Sequence, residues 1–235
     1  MSDILYKVLI EKDRYLAYLE GFKTTLLLSF FSVLLGTAIG FVIAIIKYVT
    51  DHNKSQNAFK CTCNFIGNFI CNAYIAVIRG TPVYVQMLII YFVIFSNRET
   101  SPLLSGVVCF GINSSAYVAE IIRAGIEAVD GGQSEAGRSL GLSFLQTMIY
   151  IVIPQAIKNI LPALGNEFIV LIKETAIVGN IAVLDVTKAA MNIGVATYNY
   201  LPPLLLAATI YFIVVMILTK LLRGFERRLA KSDRR

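Results

Sequence analysis

Long apolar runs dominate this chain, and its charged residues gather between them. No Asp, Glu, Lys or Arg lies between Lys23 and Lys47, Arg79 and Arg98, Glu99 and Glu120, or Lys188 and Lys220. A helix crossing the hydrocarbon core needs roughly 20 apolar residues, and several of these stretches reach that length. The short alternating segments of a membrane β-barrel are not seen. The pattern predicts an all-α polytopic membrane protein.

The clearest span is Thr24 to Ile46, closed by Lys47. Gly36 and Gly40 lie four apart on one face of it, a spacing that permits close helix approach. A polar loop follows at Thr50 to Gln56. Lys47, Lys54 and Lys60 make that region positive, which assigns it to the cytoplasmic side and the N-terminus to the outside. Asn64, Asn68 and Asn72 then recur every four residues on one helical face. At Arg79-Gly80-Thr81-Pro82 the proline removes a donor and disfavours helix just before it. We therefore read the Asn-bearing helix and the run Val83 to Phe95 as one bent unit.

After an outer loop over Asn97 to Pro102, a third span runs inward from Leu103 to about Ala119. The charged, glycine-containing stretch Glu120 to Ser139 is expected in the cytoplasm. Pro154, Lys158 and Pro162 argue against a span over Ser143 to Ile157 and place the fourth span at about Ile160 to Ile181. Asn180 to Ala196 is then an outer loop or re-entrant piece. A last span covers about Leu201 to Thr219, with Pro202 and Pro203 at its entry, where a missing donor costs little. Five spans result, with the C-terminus cytoplasmic. An interfacial amphipathic helix over 1–22 leads into a membrane domain over 23–222, whose cytoplasmic loop covers about 127–150. A basic tail covers 223–235.

Composition agrees: 57% of residues are hydrophobic and 15% charged, against about a quarter charged in soluble domains. The net charge of +6 comes from basic residues at helix ends and in the tail. No aromatic-basic interleaving accompanies them, so nucleic acid is not the implied partner. Cys61, Cys63, Cys71 and Cys109 lack the company of histidines and carboxylates that a zinc site needs, and read as small buried hydrophobes. His52 reads as a solvated loop residue. The first 22 residues mix both charge signs and lack the apolar core of a cleavable signal.

Two groups of residues invite a functional reading. One is the polar segment Glu135-Ala136-Gly137-Arg138-Ser139-Leu140-Gly141, followed at a distance by Ile151-Val152-Ile153-Pro154. Glu135 can favour a helix start, and Gly141 allows a turn that other residues resist. The other comprises polar groups in or near the spans, where ionisable side chains are costly and tend to be functional. These are Arg79, Gln86, Asn113, Ser115, Tyr117, Glu120, Asn166, Glu167, Lys173 and Glu174. Lys173 and Glu174 have a plainer alternative as interfacial, snorkelling groups. Arg79 has one in capping carbonyls at the helix break.

An ordered set of blocks over residues 20 to 225 resembles the permeases of polar amino acid ABC importers, which have the type I importer fold. The blocks are Arg79-Gly80-Thr81-Pro82 with Gln86, Ser115 to Arg123, Gly132-Gln133-Ser134-Glu135-Ala136 with Gly141, Pro154-Gln155-Ala156, Pro162 to Phe168, and Lys173-Glu174-Thr175. The resemblance implies that Glu135, Ala136, Gly137, Gly141 and Leu142 form the loop that docks into a cytoplasmic ATPase, the small residues allowing close approach. It also implies that the span-region polar groups line a path for a zwitterionic solute, which cannot cross without hydrogen-bond partners.

Gly137 replaces the family's alanine, Ile153 its usual leucine, and Lys173-Glu174-Thr175-Ala176 has Glu and Ala where Asp and Ser are frequent. The implied partners are a dimer of ABC ATPases, a second permease subunit, identical or not, an extracytoplasmic amino-acid-binding protein, and the lipid of a bacterial cell membrane. No phosphate loop of the form G-x-x-x-x-G-K-[ST] is present, so ATP and magnesium are expected on the partner ATPase, with no cofactor on this chain and no catalytic or metal residues. Competing readings are a permease for another small solute, such as methionine or an opine, and an ion-coupled secondary transporter. The second would favour inverted internal repeats, and no convincing repeat is found.

Overall fold

The computed structural model describes residues 6–52, 58–96 and 100–232, and among them every regular element is helical. In chain order these are α1 (Arg14–His52), α2 (Ala58–Gly80), α3 (Val83–Ile89), α4 (Pro102–Glu127), α5 (Gly131–Ser139), α6 (Phe144–Thr147), α7 (Ile153–Glu174), α8 (Val186–Thr197) and α9 (Leu201–Ser232). A wide π-turn extends α3 over Ile90–Ile94, and another joins α6 to α7 over Met148–Val152. A 3-10 turn, Thr175–Ile181, follows α7. Four helical stretches are long and apolar enough to cross a membrane, or five if α2 and α3 form one broken span. The expected five-span architecture therefore matches, including the break at Gly80 to Pro82. Pro82 is extended there (ψ 129°) and α3 restarts at Val83.

Element boundaries differ from those expected. Helix α1 begins at Arg14, so residues 14–22 belong to the first span's own helix rather than to a separate interfacial one. A kink at Lys12 (φ 55°) and Asp13 (φ 52°) sets off the short turn Tyr6–Ile10 before it. Helix α4 continues past Ala119, the expected end of the third span, to Glu127, so the first part of the charged stretch is helical. The helical run from Phe144 to Ile181 is broken neither by Pro154 nor by Pro162. Pro154 comes directly after the π-turn, where the ladder has already slipped to a bond from the Ile153 amide to the Met148 carbonyl. Pro162 lies within α7, as prolines do in membrane helices whose surroundings satisfy the freed carbonyls. The region expected as an outer loop or re-entrant piece contains helix α8, which is buried along one face. The basic tail is helical through Ser232; residues 233–235, Lys54 and the loop residues Asn97 to Glu99 lie outside the described residues.

The chain forms two compact units. The first, residues 1–35, 81–111 and 168–221, has a core of Val8, Tyr18, Val186, Ala189, Ala190, Ile193 and Ala207. Close approach is built in at Gly21, where a Cβ would lie 2.6 Å from the carbonyl carbon of Asp185. Asp185 is fully buried and starts α8 by accepting bonds from the Thr187 amide (3.0 Å) and the Lys188 amide (2.9 Å), with a third from the Tyr211 hydroxyl (3.1 Å).

The second unit, residues 36–80, 112–167 and 222–235, packs Ala44 on Val118 and Ile122, and Ile75 on Ala116 and Ala119. Gly36 and Gly40 are both buried, and a Cβ on Gly40 would meet the Ser115 carbonyl at 2.7 Å. That is the helix contact their spacing anticipates. On α2, Cys71 and Ile75 are buried, whereas Phe65, Ile66, Phe69 and Ile70 are exposed, as expected of groups facing lipid or a partner. Cys109 is buried in the first unit. Cys63 is exposed, contrary to the expectation for the cysteines, because the helix turns it away from the buried side. The side chains of His52 and Cys61 lie outside the described residues.

Candidate functional site

Helices α5 and α6 form a short hairpin on the second unit. Asp130 starts α5 by accepting from the Gly132 amide at 2.8 Å. Glu135 therefore does not cap the helix: the Asp-Gly-Gly sequence upstream offers a closer acceptor and a freer backbone, so Glu135 falls in mid-helix, exposed. The helix ends in a Schellman turn, with the Leu142 amide on the Gly137 carbonyl (3.2 Å) and the Gly141 amide on the Arg138 carbonyl (3.0 Å). Gly141 has φ +83°, a left-handed conformation that costs an L side chain roughly 1–2 kcal/mol. Ser143 and Gln146 then form a reciprocal capping box at the start of α6.

The hairpin divides its small residues between two tasks. Ala136 and Glu135 face outward. Gly137 is buried, and a Cβ there would come within 2.7 Å of Ile151 Cδ1 and 3.1 Å of Thr147 Cγ2. Its lack of a side chain thus seats α5 on the chain's own π-turn rather than on an outside surface. Leu142 is half-buried. Leu140, Leu145 and Tyr150 are strongly exposed, at 83%, 68% and 72%. Leu140 lies in the segment singled out from the sequence; Leu145 and Tyr150, farther from the glycine turn, were not singled out.

Polar groups also gather deeper in the second unit. Asn113, Ser114 and Ser115 on α4 are buried. The Ser114 hydroxyl donates to Glu167 Oε1 at 2.9 Å. The Tyr74 and Ser115 hydroxyls lie 2.7 Å apart, and both reach the Ile112 carbonyl, at 3.1 and 2.7 Å. The Arg79 guanidinium stands 5.1 Å from the centre of the Tyr117 ring, a cation–π distance. Asn166 is exposed and Glu167 half-buried. This seam supplies a carboxylate, hydroxyls and an amide; Tyr74 and Ser114 are members not expected from the sequence.

Glu120 sits instead in a ladder of ion pairs, 3.3 Å from Lys47 Nζ and 2.9 Å from Arg123 Nη2; Arg123 in turn lies 2.7 Å from Glu127. In the first unit, Gln86 folds back to donate to Thr81 Oγ1 (2.7 Å) and Thr81 O (3.1 Å), closing the start of α3. Lys173 is exposed there and Glu174 half-buried. Among the described residues no group of three or more His, Cys, Asp or Glu could hold a metal.

Helices long and apolar enough to cross a membrane, with a polar, glycine-turned hairpin between two of them, define a polytopic helical membrane protein. Residues 64–231 match the family described as binding-protein-dependent transport system inner membrane component, and the chain belongs to that family. It is 41% identical over 217 residues to the arginine transport system permease protein ArtQ of Bacillus subtilis, covering 92% of this chain and 93% of that one. It is 39% identical to the putative glutamine transport system permease protein GlnP of Rickettsia typhi, over 92% and 94% of the two chains. A crystal structure of an amino acid ABC transporter with histidines contains a chain of the same fold, with a TM-score of 0.80 and 46% identity over 90% of this chain and 94% of that one. The fold is that of type I ABC importer permeases.

Proposed function

We propose that this chain is the membrane-spanning permease subunit of an ATP-driven importer for polar amino acids, with its N-terminus outside and its C-terminus in the cytoplasm. The carrying observation is the α5–α6 hairpin: an exposed element held by local caps and a glycine turn, on a chain whose relatives at about 40% identity are named as arginine and glutamine permeases. In this reading Glu135, Ala136, Leu140, Leu142 and Leu145 meet a cytoplasmic ATPase dimer, which holds ATP and magnesium. Gly137 and Gly141 shape the element that docks.

A second permease subunit completes the path, and an extracytoplasmic binding protein delivers the solute. Asn113, Ser115, Tyr117, Arg79, Asn166 and Glu167 are the path-lining candidates that lie in one unit. Glu167 suits an ammonium and Arg79 a carboxylate. Gln86, Lys173 and Glu174 are candidates from the other unit.

The test is reconstitution in vesicles with the cognate ATPase and binding protein, each of the twenty amino acids being supplied in turn. Stimulated ATP hydrolysis and uptake with one or a few polar amino acids is expected. Stimulation by methionine or an opine alone, or uptake driven by sodium or protons without the ATPase, would overturn the reading. So would labelling that placed a cysteine substituted for Gly141 on the outer face.

A further inference from the structure

The inner end of α1 is tied to the hairpin region at two points. Lys47 Nζ lies 3.3 Å from Glu120 Oε1, and the other oxygen of that carboxylate accepts from Arg123 Nη2 at 2.9 Å. Arg123 Nη1 continues to both oxygens of Glu127, at 2.8 and 2.7 Å. Glu127 is the last residue of α4, and Asp130, the cap of α5, follows closely. The next residue on α1, Tyr48, stacks on Phe144 of α6 with ring centres 6.3 Å apart and planes 14° from parallel. Its hydroxyl lies 3.1 Å from the Met148 sulfur in the π-turn. A cavity of about 170 Å³ adjoins these contacts, lined by Lys47, Tyr48, Arg123, Ser134, Met148 and Val152 among others. Ser134 belongs to α5, so one coupling helix borders open space beside the ladder.

We propose that Lys47 and Tyr48 make α1 a second transmission route from the ATPase, and that they act as positioning residues. This rests on the function proposed above. Helix α7 is joined to the hairpin covalently, so it moves when the hairpin moves. Helix α1 has no such covalent link, and the family match, which begins at residue 64, leaves it out.

Its connection is made by the Lys47 ammonium on Glu120 and the Tyr48 ring on Phe144. The ion pair is partly buried, its side chains 13% and 23% exposed, so salt screens it less than at an open surface. The neighbouring cavity gives α5 room to shift without first breaking close packing. A shift of α5 and α6 then moves Phe144 and the α4 end together, and the two contacts carry α1 with them.

The test uses the complete complex in vesicles and measures solute molecules taken up per ATP hydrolysed. Lys47→Met and Tyr48→Ala each remove one contact, whereas Lys47→Arg keeps the charge. For the first two, basal ATP hydrolysis and co-purification with the ATPase are expected to stay at the wild-type level. Uptake per ATP should fall at least about fivefold, the low end of coupling between sites. Lys47→Arg should restore most of it.

A contact serving only the fold would lower the amount of complex without changing that ratio. A wild-type ratio in both Lys47→Met and Tyr48→Ala would overturn the inference while leaving the function standing. A wild-type complex with no solute-stimulated hydrolysis would overturn both.

Discussion

Two helices end in the same hydrogen-bonded turn, with different residues at its critical position. After α5, Gly141 takes the left-handed conformation at φ +83°; after α8, Tyr198 does so at φ +51°. The bonds correspond: Leu142 to Gly137 and Gly141 to Arg138 in one, Asn199 to Gly194 (3.1 Å) and Tyr198 to Val195 (3.3 Å) in the other. A tyrosine there costs roughly 1–2 kcal/mol that a glycine does not. Helix α8 carries that cost because Val186, Ala189, Ala190, Ile193 and Gly194 are buried and Asp185 caps it twice. Helix α5 buries Gly137 alone, so its shape depends on Asp130, Gly141 and the Ser143 box. An element that must stay exposed is held by its own sequence, and a packed one can be held by its neighbours.

The largest effect should come from removing the support that lets α8 tolerate Tyr198. Asp185→Ala leaves two backbone amides and the Tyr211 hydroxyl without their shared acceptor inside the unit. A lost cap and unsatisfied buried donors together cost about 3 kcal/mol. Thermal unfolding of the detergent-solubilised protein should show a clear fall in midpoint. An unchanged midpoint would mean that α8 is held by its apolar contacts alone.

Next is the exposed turn. Gly141→Val places a β-branched residue in a conformation it resists, at a local cost of roughly 2 kcal/mol. Because α5 contributes little buried surface, the unfolding midpoint should move less than in Asp185→Ala. Solute-stimulated ATP hydrolysis should nevertheless be lost, with membrane insertion unaffected. A variant that unfolds globally would break the contrast between the two turns.

The same contrast explains what could be read from the sequence. The hairpin was legible because its determinants are local: Gly141, and small residues in a polar segment between apolar runs. The span pattern was legible because hydrocarbon demands length and composition, and the α2–α3 break because Gly80 and Pro82 announce it. The Tyr198 turn was not legible, since nothing near it in sequence favours a left-handed residue and the compensation comes from Asp185 and a buried face. Pro154 and Pro162 misled: a π-turn precedes the first, and α7 runs on through the second. In the polar seam the residues of α4 were visible as a cluster. Their partner Tyr74, and the tie between Lys47 and Glu120, join residues far apart in the chain and needed the fold. Gly137 looked like a docking surface and proved to be a packing contact, because a helix's buried face is set by what lies beneath it.

A smaller effect of opposite sign is expected at the tyrosine itself. Tyr198 is almost wholly exposed, at 96%, so replacing it removes little packing. Tyr198→Gly relieves the left-handed strain, while the added freedom of the unfolded chain offsets part of the gain. The net result should be a stabilisation of at most about 1 kcal/mol, read as a small rise in unfolding midpoint. A fall would assign the tyrosine ring a contact that its exposure does not suggest.

The smallest effect is a pH dependence confined to the α8 side of the comparison. Burial pushes the Asp185 carboxyl above the usual aspartate value near 3.8; the Lys188 and Thr187 amides, the Tyr211 hydroxyl and the Thr187 hydroxyl hold it partly back. The folded state therefore binds the proton more tightly than the unfolded chain. The resulting stability is fully present below about pH 3.8 and is lost as pH rises through the folded-state value, beyond which it is flat. Asp185→Asn keeps an acceptor oxygen for the cap and removes the titration. The wild-type midpoint minus the Asp185→Asn midpoint should accordingly be largest in acid and decline towards neutrality. Gly141→Val, which touches no titrating group of α8, should run parallel to the wild type across the same range. A difference that grew with pH would mean that the three hydrogen bonds outweigh burial, and that the carboxylate rather than the acid is the form α8 was built around.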